Sequence, residues 1–192
     1  MAWGGGVTAL AVGVTTSALA YGGVLVLSLR PNGTVAAVAS IEAAALEGHS
    51  PALGDLFGYC SVAALPDLDW DGRQELLVGA CREDSAGTNA GAAYVLYLGE
   101  GCGLKSYVRL HLADFLPDVQ GAAGALLGES VATLPSSDVS PEGLHTMAIG
   151  VPNYRSQGDL NVGGILLVEY QRPPAPPPSS PPPPVPPPPH AP

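Results

Sequence analysis

The sequence predicts an all-β protein assembled from repeated sheet units. Three observations carry that prediction: Val, Leu and Tyr runs broken at short intervals by Gly, Pro, Asn and Asp; apolar segments that recur about every seventy residues; and an acidic loop set between two of those segments. Branched and aromatic residues suit a pleated, half-buried surface, and the interrupting residues mark turns. At 192 residues the chain holds one ordinary core and a tail, not two large domains.

The repeat organises everything else. Leu10-Ala11-Val12-Gly13, Leu76-Leu77-Val78-Gly79 and Met147-Ala148-Ile149-Gly150 are apolar runs closed by glycine, 66 and then 71 residues apart. A second run follows each: Gly22-Gly23-Val24-Leu25-Val26-Leu27, Gly91-Ala92-Ala93-Tyr94-Val95-Leu96 and Gly163-Gly164-Ile165-Leu166-Leu167-Val168, offset by 69 and 72. Upstream, Phe57-Gly58-Tyr59-Cys60-Ser61-Val62-Ala63 matches Leu127-Gly128-Glu129-Ser130-Val131-Ala132, offset by 69 at the serine, with no counterpart before the first unit. The middle unit then reads as strand A (about Ser61 to Leu65), B (about Glu75 to Gly79), C (about Ala92 to Leu98) and D (about Ser106 to Leu112). The first unit begins at its B strand and has D near Thr34 to Ile41; the third supplies A, B and C; about ten strands result.

A four-stranded unit repeated in tandem is the mark of a β-propeller blade, and a closed ring takes at least about four of them. The prediction is therefore an all-β partial propeller of about two and a half blades. A partial blade covers 1–41 (strands B to D), a complete one 42–113 and a partial one 114–171, followed by a proline-rich tail at 172–192. Open blade edges invite pairing, so either the chain is a truncated piece of a longer protein, the expectation favoured here, or its partial blades bury their edges against something else.

Between strands A and B of the middle unit lies Asp67-Leu68-Asp69-Trp70-Asp71-Gly72-Arg73-Gln74-Glu75. Its carboxylates occupy positions 1, 3, 5 and 9, and Arg73 at position 7 offers a backbone carbonyl. Calcium takes six to eight hard oxygen ligands, which alternate residues of a tight loop can supply. Gly72 permits the turn, and Glu75 closes the shell as the chain enters strand B. Close carboxylates repel by about 1 kcal/mol per pair even in water, and a cation relieves that repulsion. The competing reading is a solvated acidic turn, since Asp and Gly favour turns. A helix-flanked calcium hand is excluded, because its twelfth position would fall on Val78. The matching loop of the third unit is longer upstream; it offers Asp138, Ser140, Glu142 and Thr146, with two acids replaced, and is expected to bind weakly or not at all.

With these residues in view, the sequence resembles the FG-GAP repeat of integrin α-chain N-terminal propellers. The resemblance rests on Phe57-Gly58, Ser61-Val62-Ala63, the Asp-x-Asp-x-Asp-Gly loop, Leu76-Leu77-Val78-Gly79-Ala80 and Gly91-Ala92-Ala93-Tyr94-Val95, and spans about residues 8 to 171. Cys81 stands where the family usually has proline, which Val151-Pro152 keeps in the third unit. The resemblance implies that the loop holds calcium structurally, with Asp67, Asp69, Asp71, Arg73 and Glu75 as ligands, and that the propeller serves adhesion or ligand binding.

Charge narrows the partners. Seventeen acidic residues against seven basic ones give a net charge of −10, which disfavours nucleic acid and favours divalent cations or simple solubility. No uninterrupted apolar stretch reaches the 18 or so residues of a spanning helix. Met1 to Ala20 is apolar and ends Ser17-Ala18-Leu19-Ala20, like a leader cleavage site, but lacks a basic start, and the repeat claims the same residues. Asn32-Gly33-Thr34 is a glycosylation sequon if the chain is secreted. Cys60, Cys81 and Cys102 lack zinc spacing. If strands A and B pair with Pro66 opposite Glu75, Cys60 faces Cys81, which predicts a disulfide and leaves Cys102 free or paired outside the chain.

Gly128-Glu129-Ser130-Val131-Ala132 superficially resembles a nucleophile elbow, but it recurs around Ser61 as a structural repeat. His49, His111, His145 and His190 form no pattern with either serine, so no enzyme is expected. From Pro173 onward 14 of 20 residues are proline, which dictates an extended polyproline II rod. It resembles the proline-rich segments of plant and green-algal wall glycoproteins; a stiff linker or an SH3-type ligand is the other reading. The expected function is a non-catalytic, calcium-binding adhesion or matrix protein, extracellular, at the cell surface or in the cell wall, with a protein, matrix or wall ligand. The rival is the accessory propeller of a larger secreted hydrolase.

Overall fold

The fold was analysed in a computed structural model that describes residues 2–3, 7–16, 19–46, 54–116, 122–134, 144–155, 162–171 and 173. Among these, eleven strands form three antiparallel meanders. The first sheet contains β1 (Ala2–Trp3), β2 (Val7–Thr16), β3 (Leu19–Leu29) and β4 (Val35–Glu42). The second contains β5 (Ser61–Ala64), β6 (Leu76–Ala80), β7 (Ala92–Leu98) and β8 (Leu104–Leu110). The third contains β9 (Val131–Leu134), β10 (Leu144–Val151) and β11 (Gly164–Gln171). The protein is therefore mostly β, and the one short α-helix among the described residues is α1 (Leu112–Phe115).

The strands sit close to where the repeat puts them, with informative departures. β1 pairs with β2 in the position of strand A, ahead of the strand at which the first unit was expected to begin. Two residues are too few to show a periodicity. Strand D runs from Leu104 to Leu110, two residues earlier than expected. A tight return through Gly101 and Cys102, both at positive φ, starts it early. At its other end the Asp114 carboxylate accepts the His111 amide at 2.7 Å and opens α1.

β5 and β6 pair Ser61 with Gly79 and Ala64 with Leu76. This is one residue away from the register that sets Pro66 opposite Glu75. Pro66 has no amide to give; Leu65 donates to the Glu75 carbonyl instead, at 2.8 Å.

The three sheets stack through two apolar layers. Val24, Val26 and Ile41 of the first sheet meet Phe57, Leu76, Val78, Tyr94 and Leu96, with Phe57 and Tyr94 edge to face at 5.3 Å. On the opposite face, Leu77, Ala93 and Val95 meet Leu127, which precedes β9, and Met147, Ile149 and Val151 of the third sheet. The middle sheet is thus covered on both faces, which is why β6 and β7 read as almost continuous apolar runs rather than alternating ones. The outer faces of the flanking sheets carry exposed apolar residues: Val38 (57%) in the first, Ile165 (73%) and Leu167 (61%) in the third.

Glycines make the stacking possible. A Cβ on Gly13 would overlap the carbonyl of Gly58, and one on Gly79 the carbonyl of Gly128. The same backbone contact therefore joins sheet one to two and sheet two to three, and the Gly58 and Gly128 amides donate to the carbonyls of Gly79 and Gly150 at 2.9 and 3.0 Å.

Candidate metal centre

The acidic nonapeptide closes one end of the middle sheet. Its curl is written in short hydrogen bonds from loop amides to aspartates. Asp67 accepts from the amides of Trp70 (2.7 Å) and Gly72 (3.0 Å), Asp69 from that of Asp71 (3.2 Å), and Asp71 from that of Arg73 (2.9 Å). Trp70 and Gly72 take φ of +68° and +82°. Glycine adopts this freely; tryptophan does so only because both ends of its turn are tied to Asp67.

This curl brings one ligand oxygen each from Asp67, Asp69, Asp71 and Glu75 within 4.8 Å of one another. Glu75 is the decisive member. Its residue is fully buried, Oε2 accepts the Leu68 amide at 2.8 Å, and Oε1 is buried with no hydrogen-bond partner. A buried oxygen left without a partner costs free energy, whereas a cation satisfies it. Burial pushes the Glu75 carboxyl up to about 7, with the three aspartates adding to the rise and the Leu68 amide opposing it.

The donor set is all hard oxygen, which fits calcium and not zinc. Position 7 is Arg73, whose guanidinium also meets the Asp71 carboxylate at 3.3 Å. One further group was invisible to sequence reasoning. Lys105, 34 residues beyond Asp71, places Nζ 2.7 Å from Asp69 and 3.4 Å from Asp71. The hydrogen bond to Asp69 holds its ammonium above the ordinary lysine value. No spacing rule links β8 to the loop; only the return of the strand does.

The other expected site residues fall as follows. Thr146 sits within β10, opposite Leu134 and Glu169. Asp138, Ser140 and Glu142 lie outside the described residues, as do His49, His190 and the tail beyond Pro173. Cys60 and Cys81 are joined by a disulfide with Cα atoms 6.1 Å apart, and Cys102 is a buried free thiol. They flank β5 and β6 one step out of direct opposition, since the pair register makes Ala80 the partner position of Cys60. Asn32 is exposed in the β3–β4 turn, where its carboxamide oxygen accepts from the Thr34 hydroxyl at 2.7 Å.

An arrangement that sequence reasoning missed also looks catalytic at first. Ser85 Oγ lies 2.7 Å from His111 Nε2, and His111 Nδ1 lies 3.8 Å from Asp114. The protons run the wrong way for a nucleophile. Ser85 gives its single hydroxyl proton to the buried Glu83 carboxylate at 2.8 Å, so Nε2–H must be the donor to Ser85. An imidazole protonated on that nitrogen cannot take a proton from the serine. The group acts as a polar clasp between the 81–91 loop and α1.

Residues 61–96 match the FG-GAP repeat family. The matched span holds β5, the acidic loop, β6 and most of β7. No curated protein matches the chain. Among the described residues no helix is long and apolar enough to cross a membrane.

Proposed function

We propose that this chain is a non-catalytic, calcium-binding protein of the cell surface or extracellular matrix. In this reading Asp67, Asp69, Asp71 and Glu75, with the Arg73 carbonyl, would hold one calcium ion. The observation that carries it is the buried, unpartnered Glu75 oxygen facing three aspartates. Calcium would supply charge neutralisation and rigidity at the end of the middle sheet, not chemistry. The chain's own part is to hold four carboxylates together against their repulsion.

The propeller reading draws on the FG-GAP match and on the stacking. Each junction repeats one glycine contact, and both outer faces present apolar side chains suited to further sheets of the same kind. The integrin-like adhesion role follows from that resemblance. An extracellular setting agrees with the Cys60–Cys81 disulfide and with an exposed sequon at Asn32. The proline-rich tail reads as a spacer of the plant or algal wall type.

The test is a pair of melting curves on the full chain. Calcium at about millimolar level should raise the midpoint by several degrees, and magnesium, which demands tighter octahedral geometry, should do much less. Equal midpoints in calcium and in chelator would remove the ion from the account. Retention on isolated wall or matrix material in calcium, lost in chelator, is the corresponding test of adhesion.

A further inference from the structure

Trp70 stands at position 4 of the acidic loop, between two of the clustered aspartates, and is 40% exposed. Its indole Nε1–H donates to the carbonyl of Pro173 at 2.7 Å, across 103 residues of sequence. Pro173 is the first residue of the proline-rich run. A proline-rich chain has almost no amide donors, yet its carbonyls remain open, so a partner must bring donors. An indole brings one donor and no acceptor. Aromatic surfaces are also what polyproline helices dock on generally.

A second contact directs the chain to this place. Tyr170, near the end of β11, and Tyr97 of β7 pack against the same apolar layer, and the β6–β7 register, with Leu76 opposite Leu96, sets Tyr97 at the Glu75 end of the middle sheet. The last strand is thereby tied to the end of the middle sheet that carries the loop. Trp70 itself takes a left-handed backbone, uncommon for so bulky a residue.

We propose that Trp70 is the docking residue for the chain's own proline-rich segment, gripping it at Pro173, and that docking and cation binding stabilise the same loop conformation. The second half rests on the calcium reading; the first does not. Coupling through a shared conformation is reciprocal, so each event strengthens the other.

The experiment is indole N–H exchange by NMR on the full chain, which has only Trp3 and Trp70 to assign. In chelator, the Trp70 signal should exchange with solvent about tenfold more slowly than a free indole, at every protein concentration. Exchange at the free-indole rate overturns the docking. Protection that grows with protein concentration overturns the intramolecular form, because a second copy then supplies the prolines. Added calcium should deepen the protection, and Trp70→Phe, which keeps the ring and loses the N–H, should weaken calcium binding about three- to tenfold. Unchanged calcium affinity in Trp70→Phe refutes the coupling. Absence of calcium binding in the natural chain refutes the coupling together with the ion reading, while the exchange rate in chelator still decides the docking.

Discussion

Glu75→Gln separates the cost of the empty cradle from the gain of the filled one. In chelator, the folded chain holds the Glu75 proton up to about pH 7, whereas the ordinary value of 4.5 applies once the chain unfolds. Between these values the folded state binds more protons than the unfolded state, so stability is complete below about pH 4.5 and is lost as pH rises through 7. The displacement is worth at most about 3 kcal/mol, or roughly 6–12 °C in midpoint for a chain of this size. Glutamine cannot ionise and still offers an oxygen to the Leu68 amide. By thermal melts followed by circular dichroism, Glu75→Gln in chelator should melt above the natural protein at pH 8 and close to it or below it at pH 5. In calcium the order at pH 8 should reverse, because only the carboxylate gains from the ion. If the natural protein gained stability relative to Glu75→Gln between pH 5 and 8 in chelator, or if the variant kept the calcium-dependent rise, the burial argument would be refuted.

Other perturbations probe separate parts of the account. Lys105→Met removes the ammonium that competes for Asp69 and Asp71, and isothermal titration should show calcium binding strengthened up to about fivefold, as expected for a half-exposed ion pair; weaker binding would assign Lys105 a supporting role. Gly79→Ala puts a methyl group into the Gly128 carbonyl and should cost at least about 2 kcal/mol in urea melts, while Gly33→Ala, with open space around it, should cost only the strain of its left-handed backbone at φ +81°, about 1 kcal/mol. Replacing Cys60 and Cys81 by serine opens a loop of 21 residues and should cost about 3 kcal/mol, with non-reducing peptide mapping of the natural chain showing the linked pair.

Much of the fold was legible because repetition multiplies weak signals. Leu76-Leu77-Val78-Gly79 alone is an ambiguous apolar run, but its echo in Met147-Ala148-Ile149-Gly150 marks β6 and β10 together. The acidic loop was legible because its carboxylates are local, four side chains within nine residues. What failed was of another kind. The A–B register slipped by one residue because proline's missing amide moves the first ladder bond to Leu65. Lys105, the Ser85–His111 clasp and the Trp70–Pro173 bond join residues 26 to 103 apart, and no local pattern encodes such meetings. Glu75 shows the limit most clearly: the sequence marks it as an acid at position 9, but only packing makes one of its oxygens buried and unsatisfied.

The most direct measurement is a count of bound ions. Equilibrium dialysis of the full chain against calcium should find one ion per molecule bound at up to millimolar concentrations, and none at that site after Asp69→Ala and Asp71→Ala together. Equal uptake by the natural chain and the double variant, or no uptake by either, would contradict the account.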